Sequence, residues 1–359
     1  MPLPLTVLTG PSTTLRDDLV RCLVLRRPAL VAVVYDVEPD RLIRRVVDAA
    51  GSHQRELVEL TGCCLSCTVR EDAGPALSVV AASGRWSEVV LALPAALEPG
   101  ALAGALGECV DVVVDTVTTV VDGRLLRAQV GGDDLLADRG LNAAPNDRRS
   151  TAELVISQLE DADVLVIADL HRLGTSQART VQALLSHLSP LALQVMLGPG
   201  GVGCDAAVST GRHGAGTTPD DRETLAALAA ELCSPACGVT TVRWESQRPL
   251  HSARLHEAMP AVVRDVMRSR GYVWLADRPR QRVRWESAGG SLSVGDPTPW
   301  RGLPGCVLVL TGVDLDGAAL RARLDACLAT DDELIAGGWA DPFAASLGPT
   351  EFSQPGAAD

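Results

Sequence analysis

The segment Glu59-Leu60-Thr61-Gly62-Cys63-Cys64-Leu65-Ser66-Cys67-Thr68-Val69-Arg70-Glu71-Asp72 gathers three cysteines within five residues. Cys64 and Cys67 carry the Cys-x-x-Cys spacing, which lets two thiolates reach one ion from a tight turn. Cys63 adds a third candidate sulfur and Glu59 a candidate oxygen, so Cys63, Cys64, Cys67 and Glu59 are the expected metal ligands. Zn2+ is the ion that suits this set best, although thiolates also favour Cu(I). Two other readings stay open. A redox pair needs the two cysteines at the start of a helix that follows a strand, and the third adjacent cysteine speaks against it. Buried cysteines can also serve packing alone.

The second segment with chemical potential is the turn after Leu8-Thr9-Gly10, where a nucleotide-binding α/β domain sets its phosphate loop. A loop of the form G-x-x-x-x-G-K-[ST] cradles phosphates with backbone N–H groups, neutralises them with lysine and holds magnesium with the hydroxyl. Counting from Gly10 puts Leu15, Arg16 and Asp17 where Gly, Lys and Ser/Thr belong. Aligned from the other end, Ser12-Thr13-Thr14-Leu15 keeps the Thr-Thr-Leu that often follows the lysine, as in a shortened loop. Gly10, Ser12, Thr13 and Thr14 are therefore candidate remnants of a nucleotide site, without the groups that GTP and Mg2+ require. The alternative is an ordinary strand-to-helix turn capped by Ser or Thr. Asp17 and Asp18, read as first-turn residues, would repel a triphosphate. No catalytic residue is assigned.

These segments need a scaffold, and 359 residues at 47% hydrophobic content suffice for two domains with their own cores. Aromatic residues are only 3%, so Leu, Val and Ala must fill those cores, as in a Val-rich parallel sheet covered by helices. Short runs at Leu5–Thr9, Leu30–Val34, Val89–Leu93, Val112–Val114 and Val164–Ala168 alternate with helical patterns, which predicts an α/β fold with a parallel sheet. Ser150 and Glu153 form a capping box that opens a helix to Glu160. The Gly/Thr/Pro-rich stretch Gly198–Asp221 marks a loop or insertion near a boundary, followed by a helix near Arg222–Leu232 and a strand at Val239–Trp244. The expected division is residues 1–195, a connecting segment 196–240, a smaller α+β domain 241–345 and a disordered tail 346–359.

All 32 basic residues are arginine, so any mechanism that needs lysine is closed to this chain. A net charge of −13 repels phosphate at long range and argues against general nucleic-acid or anionic-membrane binding. The N-terminus lacks a basic leader, and the uncharged stretch Leu188–Cys204 is broken by Pro and Gly, so neither a signal peptide nor a membrane span is expected. Ten cysteines without a disulfide-like pattern suit a reducing compartment, and a cytoplasmic location is the expectation.

The cysteine segment resembles the G-C-x-C-C-T-V-R motif of the CobW family of metal-linked GTPases, in a variant G-C-x-S-C-T-x-R-E-D. Cys64-Leu65-Ser66-Cys67-Thr68-Val69-Arg70-Glu71-Asp72 fits that variant, with Cys63 in place of its Gly. The similarity continues through Asp115–Asp122, Thr151–Val155 and Ala162–Val166. Arg270–Ala276, Trp285–Gly290, Leu324–Glu333 and Trp339–Phe343 look like the CobW C-terminal domain. The resemblance implies a P-loop-GTPase-like sheet with flanking helices, followed by that domain. Three departures stand out: the phosphate loop lacks its lysine, Ile167-Ala168-Asp169-Leu170-His171 replaces the guanine-reading Asn-Lys-x-Asp, and Leu93-Pro94-Ala95-Ala96-Leu97-Glu98-Pro99 replaces a Glu-Ser-Thr-Gly switch.

This combination, with Ser246–His251 leading into a helix and Trp285–Gly290, is similar to the ribosome-hibernation-factor-recruiting CobW-like proteins. The resemblance then implies zinc as the metal, and a hibernation factor and the ribosome as partners under zinc limitation. A GTP-dependent zinc metallochaperone is the alternative.

Weaker signals complete the reading. Gly198-Pro199-Gly200-Gly201-Val202-Gly203 formally matches G-x-G-x-x-G but lacks a helix continuation. Arg278, Arg280, Arg282 and Arg284 would share one face of an extended segment. Cys233 and Cys237 could bind a second ion, whereas Cys22, Cys109, Cys306 and Cys327 lie among apolar residues that suggest packing.

Overall fold

The computed structural model describes the chain apart from residues 1, 39–40, 60–63, 108, 143, 145, 215–234, 301 and 349–359, and the side chains of residues 52–53. It divides into two compact units, Met1–Asp220 and Asp221–Asp359. The expected helix near Arg222–Leu232, together with Cys63 and Cys233, lies outside the described residues.

The first unit is built on an eight-stranded sheet of β1 (Leu3–Thr9), β2 (Leu30–Glu38), β3 (Arg41–Asp48), β4 (Gly51–Val58), β5 (Glu88–Ala92), β6 (Val112–Asp122), β7 (Val164–Ala168) and β8 (Leu193–Met196). The strand order is β4-β3-β2-β5-β1-β6-β7-β8. Strands β2, β5, β1, β6, β7 and β8 run parallel, and β3 and β4 extend the sheet antiparallel. All of β7 is buried, as a parallel strand covered on both faces must be. Alternate residues serve opposite layers. Leu5 and Val7 of β1 pack with α2 (Leu65–Ala82) and α3 (Pro99–Leu106), whereas Leu8 packs with α1 (Thr13–Arg26). Further helices α4 (Leu126–Gly131), α5 (Thr151–Glu160) and α6 (Thr175–Leu188) follow.

The antiparallel hairpin of β3 and β4 departs from the sequence reading, which placed only a helix between β2 and β5. Arg41-Leu42-Ile43-Arg44-Arg45-Val46-Val47-Asp48 sets its charged and branched apolar residues in adjacent pairs, and pairing with β2 buries Leu42, Ile43 and Val46. Gly51, at φ 116°, permits the tight return into β4.

The chain leaves β1 towards β2 and leaves β6 towards β7, so the connections diverge at the carboxyl ends of β1 and β6. That is where open α/β sheets hold ligands. Beyond β8, the Gly-rich stretch forms two 3-10 turns, at Pro199–Gly201 and Cys204–Ala207, rather than the helix a dinucleotide fingerprint demands. It packs closely against the sheet and helices of its own unit. A Cβ on Gly201 would sit 1.7 Å from Cys22 Sγ, and Thr118 Oγ1 donates to the Ala207 carbonyl at 2.5 Å.

The second unit is α+β. An antiparallel sheet of order β12-β11-β10-β13-β9 comprises β9 (Val239–Ser246), β10 (Arg268–Val273), β11 (Gln281–Ala288), β12 (Ser291–Pro299) and β13 (Cys306–Val313). It carries α7 (Ser252–Val263), α8 (Gly317–Asp325), α9 (Asp331–Ala336) and α10 (Ala344–Leu347). Trp244, Trp285, Leu308, Leu310, Phe343 and Leu347 share its core. Order therefore extends past residue 346, where the tail was expected to begin. The four alternating arginines do not share a face: Arg278 is fully buried and bonds Asp341 at 2.7 Å, Arg282 stacks over Tyr272 at 4.0 Å, and Arg284 pairs with Glu286 at 2.7 Å. No described helix is long and apolar enough to cross a membrane.

Candidate functional site

The cysteine pair sits at the amino end of α2. Cys64 is the N-cap residue, with extended φ/ψ, and its Sγ accepts from the Cys67 amide at 3.4 Å. The sulfurs of Cys64 and Cys67 are 3.0 Å apart, and Arg70 Nη2 lies 4.0 Å from Cys67 Sγ. The pair thus lies at a helix N-terminus with a guanidinium beside it. Among the described residues no three His, Cys, Asp or Glu side chains converge as a metal cluster. Cys64 and Cys67 are thus brought together as a two-sulfur half-site. Glu59 is exposed beyond β4 and does not complete it, and Cys63 falls outside the described residues. This donor pair suits zinc or another soft ion when further ligands come from elsewhere. The same placement at a helix start is what the redox reading asked for.

The motif's last residue, Asp72, has a role that spacing did not reveal. It accepts from the Tyr35 hydroxyl at 2.5 Å and from Arg44 Nη1 at 2.6 Å, and Arg44 also contacts Glu56. The cysteine-bearing helix is thereby fixed to β2 and to the β3–β4 hairpin. Burial, with Asp72 as hydrogen-bond acceptor, raises the Tyr35 pKa far above the ordinary tyrosine value.

The turn between β1 and α1 has only three residues, Gly10, Pro11 and Ser12. Gly10 presses on β6 so closely that a Cβ would lie 2.3 Å from the Val120 carbonyl oxygen. Ser12 caps α1, its Oγ accepting from the Leu15 amide at 3.3 Å, and Thr13 and Thr14 are exposed in the first turn. The four sequence-predicted residues are adjacent, but they form a closed capping turn and no phosphate-sized loop. Asp17 and Asp18 fall in the second helical turn rather than the first.

Arg16, which stands at the lysine position when counted from Gly10, is buried at 1% exposure. Its Nη1 donates to the carbonyls of Tyr35 at 2.8 Å and Leu93 at 2.9 Å. Its Nη2 bonds Asp17 at 2.7 Å and Asp36 at 2.5 Å, and its Nε bonds Asp17 at 2.9 Å. A guanidinium has five N–H donors, and these five contacts use them all. Burial opposes ionisation of Asp36, but hydrogen bonds and charge from Arg45 and Arg16 outweigh it and hold the carboxyl below its ordinary pKa.

The segment that replaces the switch is pinned from several sides. Gln158 of α5, fully buried, donates to Ala95 O at 2.9 Å, Leu97 O at 2.8 Å and Thr9 Oγ1 at 3.1 Å. Arg149 reaches Ala96 O at 3.2 Å and Glu98 at 2.9 Å, and Ser157 donates to Glu98 at 3.0 Å. Asp169, after β7, adopts φ 55° and pairs with Arg124 at 2.9 Å and Arg172 at 3.2 Å, so its carboxylate is already occupied. The signal for Gln158 was visible as a lone amide in the apolar run of Thr151–Glu160; nothing in spacing alone marked Arg16 as interior.

Residues 13–195 match the CobW/HypB/UreG nucleotide-binding domain, and residues 239–328 match the cobalamin synthesis protein cobW C-terminal domain. The chain is 28% identical over 316 residues to the zinc chaperone Rv0106 of Mycobacterium tuberculosis, covering 83% of this chain and 74% of that protein. It is 22% identical over 332 residues to the zinc-regulated GTPase metalloprotein activator 1 of Dictyostelium discoideum, covering 80% and 70%. Zn(II)-bound YjiA GTPase from E. coli superimposes with a TM-score of 0.44 at 14% identity, covering 92% of this chain and 100% of that one. The nucleotide-binding match takes in more than half of the chain and the C-terminal match follows it in order, so this protein belongs to the CobW/HypB/UreG family and carries a CobW C-terminal domain.

Proposed function

We propose that this chain is a zinc-linked adaptor of the CobW type that works without a GTP cycle, recruiting a ribosome hibernation factor to the ribosome in the cytoplasm when zinc is scarce. The observation that carries the first half is Arg16: the one cation at the phosphate-loop position spends every N–H donor inside the fold. A triphosphate would meet a three-residue turn with no lysine, beside the carboxylates of Asp17 and Asp36. Cys64 and Cys67 supply the zinc sensitivity, with zinc as cargo or signal. The zinc-linked names of the two curated relatives support this part. The hibernation factor and ribosome rest on the sequence resemblance alone.

The test has two arms. Calorimetric titration with GTP and Mg2+ is expected to give no saturable heat, and zinc bound by the intact chain is expected to fall on Cys64→Ser/Cys67→Ser replacement. Capture from zinc-depleted cells is expected to recover a hibernation factor or small-subunit proteins. Magnesium-dependent GTP binding would instead favour a GTP-driven zinc metallochaperone, the reading that the names of the relatives support.

A further inference from the structure

At the carboxyl ends of β7 and β8 a cavity of about 430 Å³ opens between α6 and the first Gly-rich turn. Its walls are apolar: Leu170, Leu173, Ala178, Met196, Leu197 and Val202. Met196 and Val202 are 60% and 63% exposed, although β8 is the edge of the sheet and pairs only with β7. Exposed apolar side chains that line a concavity at a sheet edge offer a surface that a partner segment can cover.

The charges around it are biased against the rest of the molecule. The chain has 45 acidic residues against 32 arginines, yet no carboxylate lines this groove. The cationic side chain at its rim, Arg179, has no hydrogen-bond or ion-pair partner among the described residues. Nearby Arg124 and Arg172 are both held by Asp169. His171, Thr175 and Arg179 lie on its exposed rim, and the half-buried Gln182 already turns its amide to Met196 Sδ at 3.6 Å.

We infer that this groove docks an acidic, apolar segment of a partner protein, with large apolar side chains against Met196 and Val202 and a carboxylate on Arg179. The inference rests on the adaptor reading and gives it a surface.

Fluorescence anisotropy on the full chain tests it with two labelled peptides of about a dozen residues, equal in Leu and Met, one carrying Glu and the other Arg. The acidic peptide is expected to bind with Kd on the order of 10 μM. Binding should weaken at least about tenfold in Arg179→Glu and in Val202→Asp, and fall as salt rises. Both substitutions are at exposed positions, and unchanged circular dichroism checks that the fold persists. No saturable binding, equal binding of the basic peptide, full affinity in both variants, or displacement of the peptide by guanosine would each overturn the inference. In cell captures, a partner retained by both variants overturns the groove and spares the adaptor. If the unaltered chain recovers no partner, the adaptor reading fails, and the peptide titration still decides what the groove binds.

Discussion

The guanidinium of Arg16 joins three parts of the first unit: α1 by its own position, β2 through Tyr35 O and Asp36, and the carboxyl end of β5 through Leu93 O. Arg16→Met removes the donors and leaves two buried carbonyls and Asp36 short of partners. A loss of about 3 kcal/mol is expected, read from the urea midpoint, because unsatisfied buried acceptors cost about 1–3 kcal/mol each. An unchanged midpoint would show the network to be dispensable. Arg16→Lys is expected to restore neither the five contacts nor nucleotide binding, since one ammonium has three donors and the turn stays short. Asp36 adds a pH signature. Its folded pKa lies below the unfolded value of 3.8, so its stabilisation is complete above that value and is lost as pH falls through the lower folded pKa. Stability measured from pH 6 down to about 2 should therefore show a shallower acid loss in Asp36→Asn than in the unaltered chain.

At the scale of elements, α2 matters because it carries the sulfur pair at one end and Asp72 two turns on. Tyr35→Phe takes away one hydrogen bond to a charged, half-buried acceptor while Arg44 remains, so a loss of about 2 kcal/mol is expected in thermal or urea unfolding. If α2 orientation sets the site, zinc affinity should fall along with stability; a stability change with unaltered zinc affinity would confine Asp72 to packing. Legibility in the sequence also divides by element. The buried strands β1, β2 and β7 were readable because parallel strands are continuous apolar runs, and α5 because Ser150 and Glu153 form its capping box. The β3–β4 hairpin was missed, only a helix being expected between β2 and β5, because long-range pairing with β2 decides its state rather than a local pattern. The Cys64–Cys67 pair was legible from local spacing. The interior place of Arg16 was not, because its partner at Leu93 is more than sixty residues away in the chain, and the lone amide of Gln158 could be seen but not its acceptors at Ala95 and Leu97, equally distant.

At the scale of the whole molecule, each unit closes its own core, so either can change without the other losing its fold. The second unit pairs all five strands within itself, and Trp285 is fully buried with its Nε1 bonded to Ser269 Oγ at 2.8 Å. Arg278 ties the segment around α10 back to this body through Asp341 and the Leu347 carbonyl at 3.4 Å, so a fragment ending before Asp341 would leave a buried guanidinium without these acceptors. A polypeptide of residues 235–348 is accordingly expected to fold alone and to unfold in one cooperative transition. For roughly 110 residues the calorimetric enthalpy should be about 80 kcal/mol near 60 °C, equal to the van't Hoff value. Its tryptophan emission should shift to the red across that transition, as Trp244 and Trp285 leave the core. Truncation at residue 340, which removes Asp341 and α10, should abolish the transition or lower its midpoint by more than about 10 °C. A broad, non-cooperative melt of the longer fragment would mean that the C-terminal unit depends on the first for its fold, and that the two cannot be assigned separate roles.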